Sequence, residues 1–119
     1  MSRGPEQMAR LAKRSLYVVT LDVPTEHDAD FNRWLDTEHI PGFLSCPGFI
    51  SCTRFRAADV PKPVAGSPAC RYLNLYEIES PQALLSPQYL ALTSAPTPWT
   101  LRMRGHYQLG IRQAYTQIE

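Results

Sequence analysis

The chain has 119 residues, 44% hydrophobic and 19% charged, with a formal net charge of +1. That is the size of one ordinary domain with its own core. The near-neutral charge and the absence of a basic stripe exclude electrostatic binding of nucleic acid, and the apolar runs are far too short to span a membrane. Residues 1–14 carry Arg3, Arg10, Lys13 and Arg14 without a long apolar segment, so they read as a mobile, mildly basic arm rather than a signal peptide, ahead of a domain over 15–119. The three cysteines, Cys46, Cys52 and Cys70, form no CxxC pair and have no matching histidine pair. They predict reduced thiols in a cytoplasmic protein and no metal site.

Leu16 to Val23 is β-branched and apolar up to Pro24, and predicts the first strand. Thr25 followed by Asp28 predicts a capping box for a helix. Within that helix Phe31, Trp34, Leu35 and Glu38 fall at i, i+3, i+4 and i+7 and share one face, with His39 on its edge. Pro41 disfavours helical backbone at Ile40 and is expected to end the helix there. Gly48 to Arg56 alternates as a second strand, and the Pro- and Gly-rich stretch from Ala57 to Pro68 predicts an exposed loop.

Arg71 to Ile78 is the clearest strand, with Leu73 and Leu75 on one side and Tyr72, Asn74 and Tyr76 on the other. Ser80-Pro81 and Ser86-Pro87 each pair an N-cap residue with a first-turn proline, predicting a short turn over 81–85 and a helix from Pro87 to about Ser94. Pro96-Thr97-Pro98-Trp99 breaks it. Arg102 to Thr116 is expected as a long last strand, with Tyr107, Leu109 and Ile111 on one face and His106, Gln108 and Arg112 on the other. The sum is α+β, the ferredoxin-like βαββαβ unit with a four-stranded antiparallel sheet. Helices cover one face of such a sheet. The other is expected to present Tyr72, Asn74, Tyr76, Phe49 or Ile50, a surface suited to a cavity closed by a second sheet.

Several motifs resemble the EthD-like branch of the dimeric α/β-barrel superfamily. They are Phe31-Asn32-x-Trp34-x-x-x-x-His39-Ile40-Pro41, Pro47-Gly48-Phe49, Tyr72-Leu73-x-Leu75-Tyr76-Glu77, Ser86-Pro87-x-Tyr89 and Thr97-Pro98-Trp99-Thr100. The similarity spans residues 15 to 116. It implies a homodimer formed through the open sheet face and a pocket lined by His39. Relatives in the superfamily include cofactor-free monooxygenases, polyketide cyclases and decarboxylases, isomerases and haem-binding enzymes, so the fold does not choose the chemistry.

His39 suits proton transfer, because its ordinary pKa lies near neutrality. The alternative is a histidine placed to favour a helix C-terminus. Glu38 is either a proton carrier beside His39 or, more simply, one half of an ion pair, for instance with Arg33. Tyr72, Asn74 and Tyr76 are candidates to support a substrate carbonyl or enolate, or else to pack a dimer interface. Trp34 is expected in the core and at the cavity wall, with Phe49 beside it, and Trp99 as a cap on the cavity. Arg54, Arg71, Arg102, Arg104 and Arg112 are all candidates for gripping an acidic substrate, and no spacing singles one out. His27 is expected in solvent.

The leading expectation is a cofactor-independent enzyme acting by acid–base chemistry on a small aromatic or polyketide-like molecule, as a cyclase, decarboxylase, isomerase or monooxygenase. Its catalytic residues would be His39, Tyr76 and Tyr72. Trp34, Asn74, Trp99, Phe49 and Glu38 would contact the substrate. One alternative is a haem protein using His106 or His39 as a ligand; another is a non-enzymatic dimer that binds a small ligand.

Overall fold

The computed structural model describes residues 13–58 and 70–118, so residues 1–12 of the expected arm and nearly all of the expected Pro- and Gly-rich loop lie outside the described residues. Strand β1 spans Ser15–Asp22. A 3-10 turn, Thr25–His27, leads into helix α1, Asp28–Trp34, a π turn, Leu35–His39, and helix α2, Ile40–Leu44. Strands β2, Phe49–Arg56, and β3, Tyr72–Ile78, follow. A 3-10 turn, Pro81–Leu85, precedes helices α3, Pro87–Ser94, and α4, Pro98–Arg104, and strand β4, Gln108–Thr116, ends the order. The strands form one sheet in the order β2-β3-β1-β4, every neighbouring pair antiparallel. This is the ferredoxin-like α+β topology expected from the sequence.

Three boundaries differ from expectation for local reasons. Pro41 does not stop the first helical segment. Proline lacks the N–H that would bond four residues back, and its ring crowds the carbonyl there. The chain answers with a wide turn in which the Ile40 N–H donates to the Leu35 carbonyl, and the helix then continues to Leu44. The Thr25–Asp28 capping box does not form: the side chain of Asp28 instead accepts from the Tyr72 hydroxyl at 2.5 Å. Residues 98–104 are helical rather than the start of a long strand, because Thr97 caps them, its Oγ1 accepting from the Thr100 N–H at 3.1 Å. The Ser80 and Ser86 caps form as expected.

Strand alternation decides which side chains meet the helices. On β1 Tyr17, Val19 and Leu21 are buried, and on β3 Tyr72, Asn74, Tyr76 and Ile78 are buried, all beneath the helical layer with Phe31, Trp34, Leu35 and Met103. Fully burying an apolar side chain of that size contributes about 1.5–3 kcal/mol. The expectation that Tyr72, Asn74, Tyr76 and Phe49 face outward from the open sheet is therefore corrected. Alternation separates two sets, but only the helical layer determines which set is inside. The uncovered face carries Leu16, Val18, Leu73 and Leu75, with Phe55, Ile111 and Tyr115 exposed beside them. Ile50 is exposed.

The last strand contains a bulge. Val19 pairs with Arg112 and Leu21 with Leu109, so three steps on β4 match two on β1. The Thr20 hydroxyl fills the gap by accepting the Ile111 N–H at 2.6 Å. Gly110 sits there because an added Cβ would lie 2.5 Å from Thr20 Oγ1 and 2.7 Å from Cys70 Sγ. The bulge brings Leu109 and Arg112, expected on opposite faces, to the same side. Among the described residues no helix is long and apolar enough to cross a membrane, and the three cysteines are unpaired.

Candidate functional site

Between the sheet and the helices lies an open cavity of about 450 Å³. Its floor comes from the inward positions of three strands: Tyr17, Val19 and Leu21 on β1, Asn74 and Tyr76 on β3, Leu109 and Arg112 on β4. Its walls come from the helical layer, with Trp34, His39 and Phe43 on one side and Thr93 and Arg104 on the other. Tyr107, between α4 and β4, completes it.

His39 closes the π turn, and that turn delivers its ring to the cavity. The imidazole lies between Trp34, with ring centroids 4.4 Å apart, and Phe43, at 4.3 Å. Among the described residues nothing hydrogen-bonds to either ring nitrogen. Burial, then the positive charges of Arg104 and Arg112, hold its pKa down at about 4 from the ordinary 6.5. At neutral pH the ring is uncharged, and one nitrogen keeps a free lone pair.

The polar floor is anchored from behind. Asn74 Oδ1 accepts from Arg54 Nε at 3.1 Å, which leaves its amide nitrogen for a guest. Burial first, and then the nearby Cys52, push the Tyr76 phenol well above its ordinary pKa. It therefore stays protonated, able to donate a hydrogen bond and unable to act as a base. Arg112 Nε donates to the Tyr17 hydroxyl at 2.7 Å. Tyr89, beside this pair, is pushed up to about 12, chiefly by burial.

The candidates named from sequence divide accordingly. His39, Trp34, Asn74 and Tyr76 meet at the cavity. Tyr72 does not: its hydroxyl is committed to Asp28, and three guanidinium groups, those of Arg54, Arg56 and Arg71, lie 5.2–5.7 Å from its ring centre. Phe49 packs into the core against Phe43, Tyr76 and Tyr89. Trp99 does not line the cavity: its indole N–H donates to Asp30 on α1 at 3.2 Å. Glu38 is not paired with Arg33. Its Oε2 accepts from Trp34 Nε1 at 3.1 Å, Thr97 Oγ1 at 2.8 Å and Thr100 Oγ1 at 3.3 Å, so it ties the π turn to α4.

His106 does not line the cavity: its ring stacks on His27 at 3.7 Å, and the His27 side chain stays one-third exposed. Sequence reasoning missed Tyr17, Phe43 and Tyr107, and did not separate Arg104 and Arg112 from the other arginines. The alternation of Tyr17 with Val19 and Leu21 was an available signal for the first.

The chain has the ferredoxin-like α+β fold, and solved structures share it. SnoaB from Streptomyces nogalater, described as a cofactor-independent oxygenase, matches with a TM-score of 0.53 and 20% identity over 91% of this chain and 96% of its own. HapK from Hahella chejuensis matches with a TM-score of 0.55 and 12% identity, covering 90% of this chain and 93% of its own. An ethyl tert-butyl ether D (EthD) family protein from Bacillus halodurans matches with a TM-score of 0.57 and 13% identity, covering 90% of this chain and all of its own. At such identities the likeness is one of fold. Residues 14–94 match the family model described as a domain of unknown function (DUF4286), and the chain belongs to that family. No curated protein matches the chain in sequence.

Proposed function

We propose that this chain is a cofactor-independent enzyme that moves a proton on a small aromatic or polyketide-like ketone or phenol, with His39 as the base. The observation that supports it is His39 itself: an uncharged imidazole with neither nitrogen hydrogen-bonded among the described residues, aimed into a cavity of substrate size. Its lone pair takes a proton from an acidic C–H or phenolic O–H. The negative charge left on the substrate oxygen meets the Tyr76 hydroxyl and the Asn74 amide, donors already in place before reaction. Trp34 and Phe43 pack against the His39 ring and keep it from turning.

The fate of the resulting enolate or phenolate sets the reaction type. Ring closure, loss of carbon dioxide and reprotonation elsewhere give a cyclase, decarboxylase or isomerase. Reaction of the carbanion with dioxygen gives a monooxygenase, and the likeness to SnoaB makes oxygen uptake worth measuring. We further propose that two copies pair through the uncovered sheet face, whose exposed Phe55, Ile111 and Tyr115 suit a partner surface, and that the protein works in the cytoplasm, where its unpaired thiols persist.

The test is turnover of candidate phenolic ketones, with parallel oxygen-electrode traces, by wild type and His39→Ala. Positioned general bases contribute about 10²–10⁴-fold, so a loss of that size in a folded variant is expected. Unchanged turnover removes His39 from the mechanism. Binding without conversion by either protein makes this a ligand carrier instead.

A further inference from the structure

Arg104 and Arg112 reach the cavity from different elements, the last turn of α4 and strand β4. Arg104 Nη2 donates to the Thr93 carbonyl at 3.3 Å, and Arg112 Nε to the Tyr17 hydroxyl. Both partners are neutral. Arg14, Arg54, Arg71 and Arg102 each hold a carboxylate within 4.0 Å, whereas among the described residues Arg104 and Arg112 hold none. The described residues that line the cavity include no aspartate or glutamate.

Two fixed positive charges thus face one concavity without a counter-charge among its described lining residues. Low-dielectric walls concentrate such a field inside the cleft. A neutral guest leaves it unanswered. A planar carboxylate answers it, because the guanidinium fork matches two oxygens at once. The developing charge of an enolate is a weaker explanation: Tyr76 and Asn74 already supply donors for one oxygen, and that charge exists only during reaction.

We infer that the natural guest carries a permanent carboxylate, paired with Arg104 and Arg112, on an aromatic body that packs against the apolar lining of the cavity. This inference rests on reading the cavity as a small-molecule site, and it names the chemical class that site takes: an aromatic carboxylate rather than a neutral ketone. A consequence concerns His39. The titratable groups around its ring are Arg104 on α4, Arg112 on β4, Tyr17 on β1, Tyr76 on β3, Tyr107 and the neighbouring Glu38. Only the arginines oppose its protonation through charge. A bound carboxylate offsets them and raises the imidazole's proton affinity. By reciprocity, protonation tightens binding. The complex takes up a proton at pH values between about 4 and its own higher pKa, and affinity rises as pH falls through that window.

The experiment titrates the full chain with 2-naphthoate and with the neutral 2-naphthamide, followed by tryptophan fluorescence and calorimetry. Naphthoate is expected to bind at least about tenfold tighter. Arg112→Gln and Arg104→Gln should each weaken naphthoate about tenfold and leave naphthamide unchanged, with Arg112→Lys recovering part of the loss. Calorimetry of naphthoate in buffers of different ionisation enthalpy should show proton uptake. Equal binding of the two ligands, equal weakening of both by the arginine variants, or no binding of naphthoate at millimolar concentration overturns the inference. None of those results touches the role of His39 as base, which the turnover assay judges separately.

Discussion

His39 combines two close aromatic neighbours, Trp34 and Phe43, with a depressed proton affinity. Because the folded protein holds it near 4 and the unfolded chain near 6.5, the unfolded state binds the extra proton first. Stability therefore falls as pH drops from about 6.5 to about 4 and levels off below, by up to about 3 kcal/mol at 1.36 kcal/mol per unit. Urea unfolding of wild type and His39→Gln across that range should show the gap shifting toward the variant by this amount; a constant gap would refute the account. Under the proposed mechanism the same value places the acid limb of kcat/KM near pH 4 rather than 6.5, which a pH profile of turnover checks. Glu38 is the second decisive residue. Glu38→Ala leaves the Trp34 indole N–H with Thr100 alone and should cost about 1–3 kcal/mol in chemical denaturation, while Glu38→Gln, which keeps an acceptor, should cost less.

At the scale of elements, two irregularities build the site. The π turn at Leu35–His39 absorbs Pro41 and directs the imidazole inward. The β4 bulge brings Arg112 to the cavity side together with Leu109. Gly110→Ala forces a Cβ into Thr20 and Cys70 and should destabilise by about 1–3 kcal/mol. Because the bulge places Arg112, the variant should also lose 2-naphthoate binding more than its lowered stability explains. Normal affinity in the folded variant would show that the bulge does not position the arginine. Neither device was legible in the sequence. A proline after a periodic stretch reads as a stop, and period-two alternation carries no mark of the inserted residue.

For the whole molecule, the uncovered sheet face is aliphatic, with Leu16, Val18, Leu73 and Leu75 at its centre. Pairing of two copies through this face predicts a homodimer in sedimentation. Leu75→Lys, remote from the helix-side core, should release folded monomers with an unchanged far-ultraviolet spectrum. A wild-type chain that sediments as a monomer at tens of micromolar ends the proposal. The cavity, in contrast, belongs to one protomer, because helices and sheet of the same chain enclose it.

The amino-acid sequence by itself determined the order of the four strands, the α+β topology, the helix carrying Trp34 and His39, and the two serine caps, but not helix α4. Each follows from interactions within a few residues: alternation, helical spacing, hydrogen bonds from hydroxyl to nearby N–H. The tertiary structure alone decided which face of β3 lies under the helices, why Tyr72, Phe49 and Trp99 are spent on structure while Asn74 and Tyr76 meet His39, and which two of many arginines line the cavity. Those outcomes depend on partners far apart along the chain, such as Tyr72 with Asp28, Trp99 with Asp30 and Arg112 with Tyr17, and no local pattern encodes them.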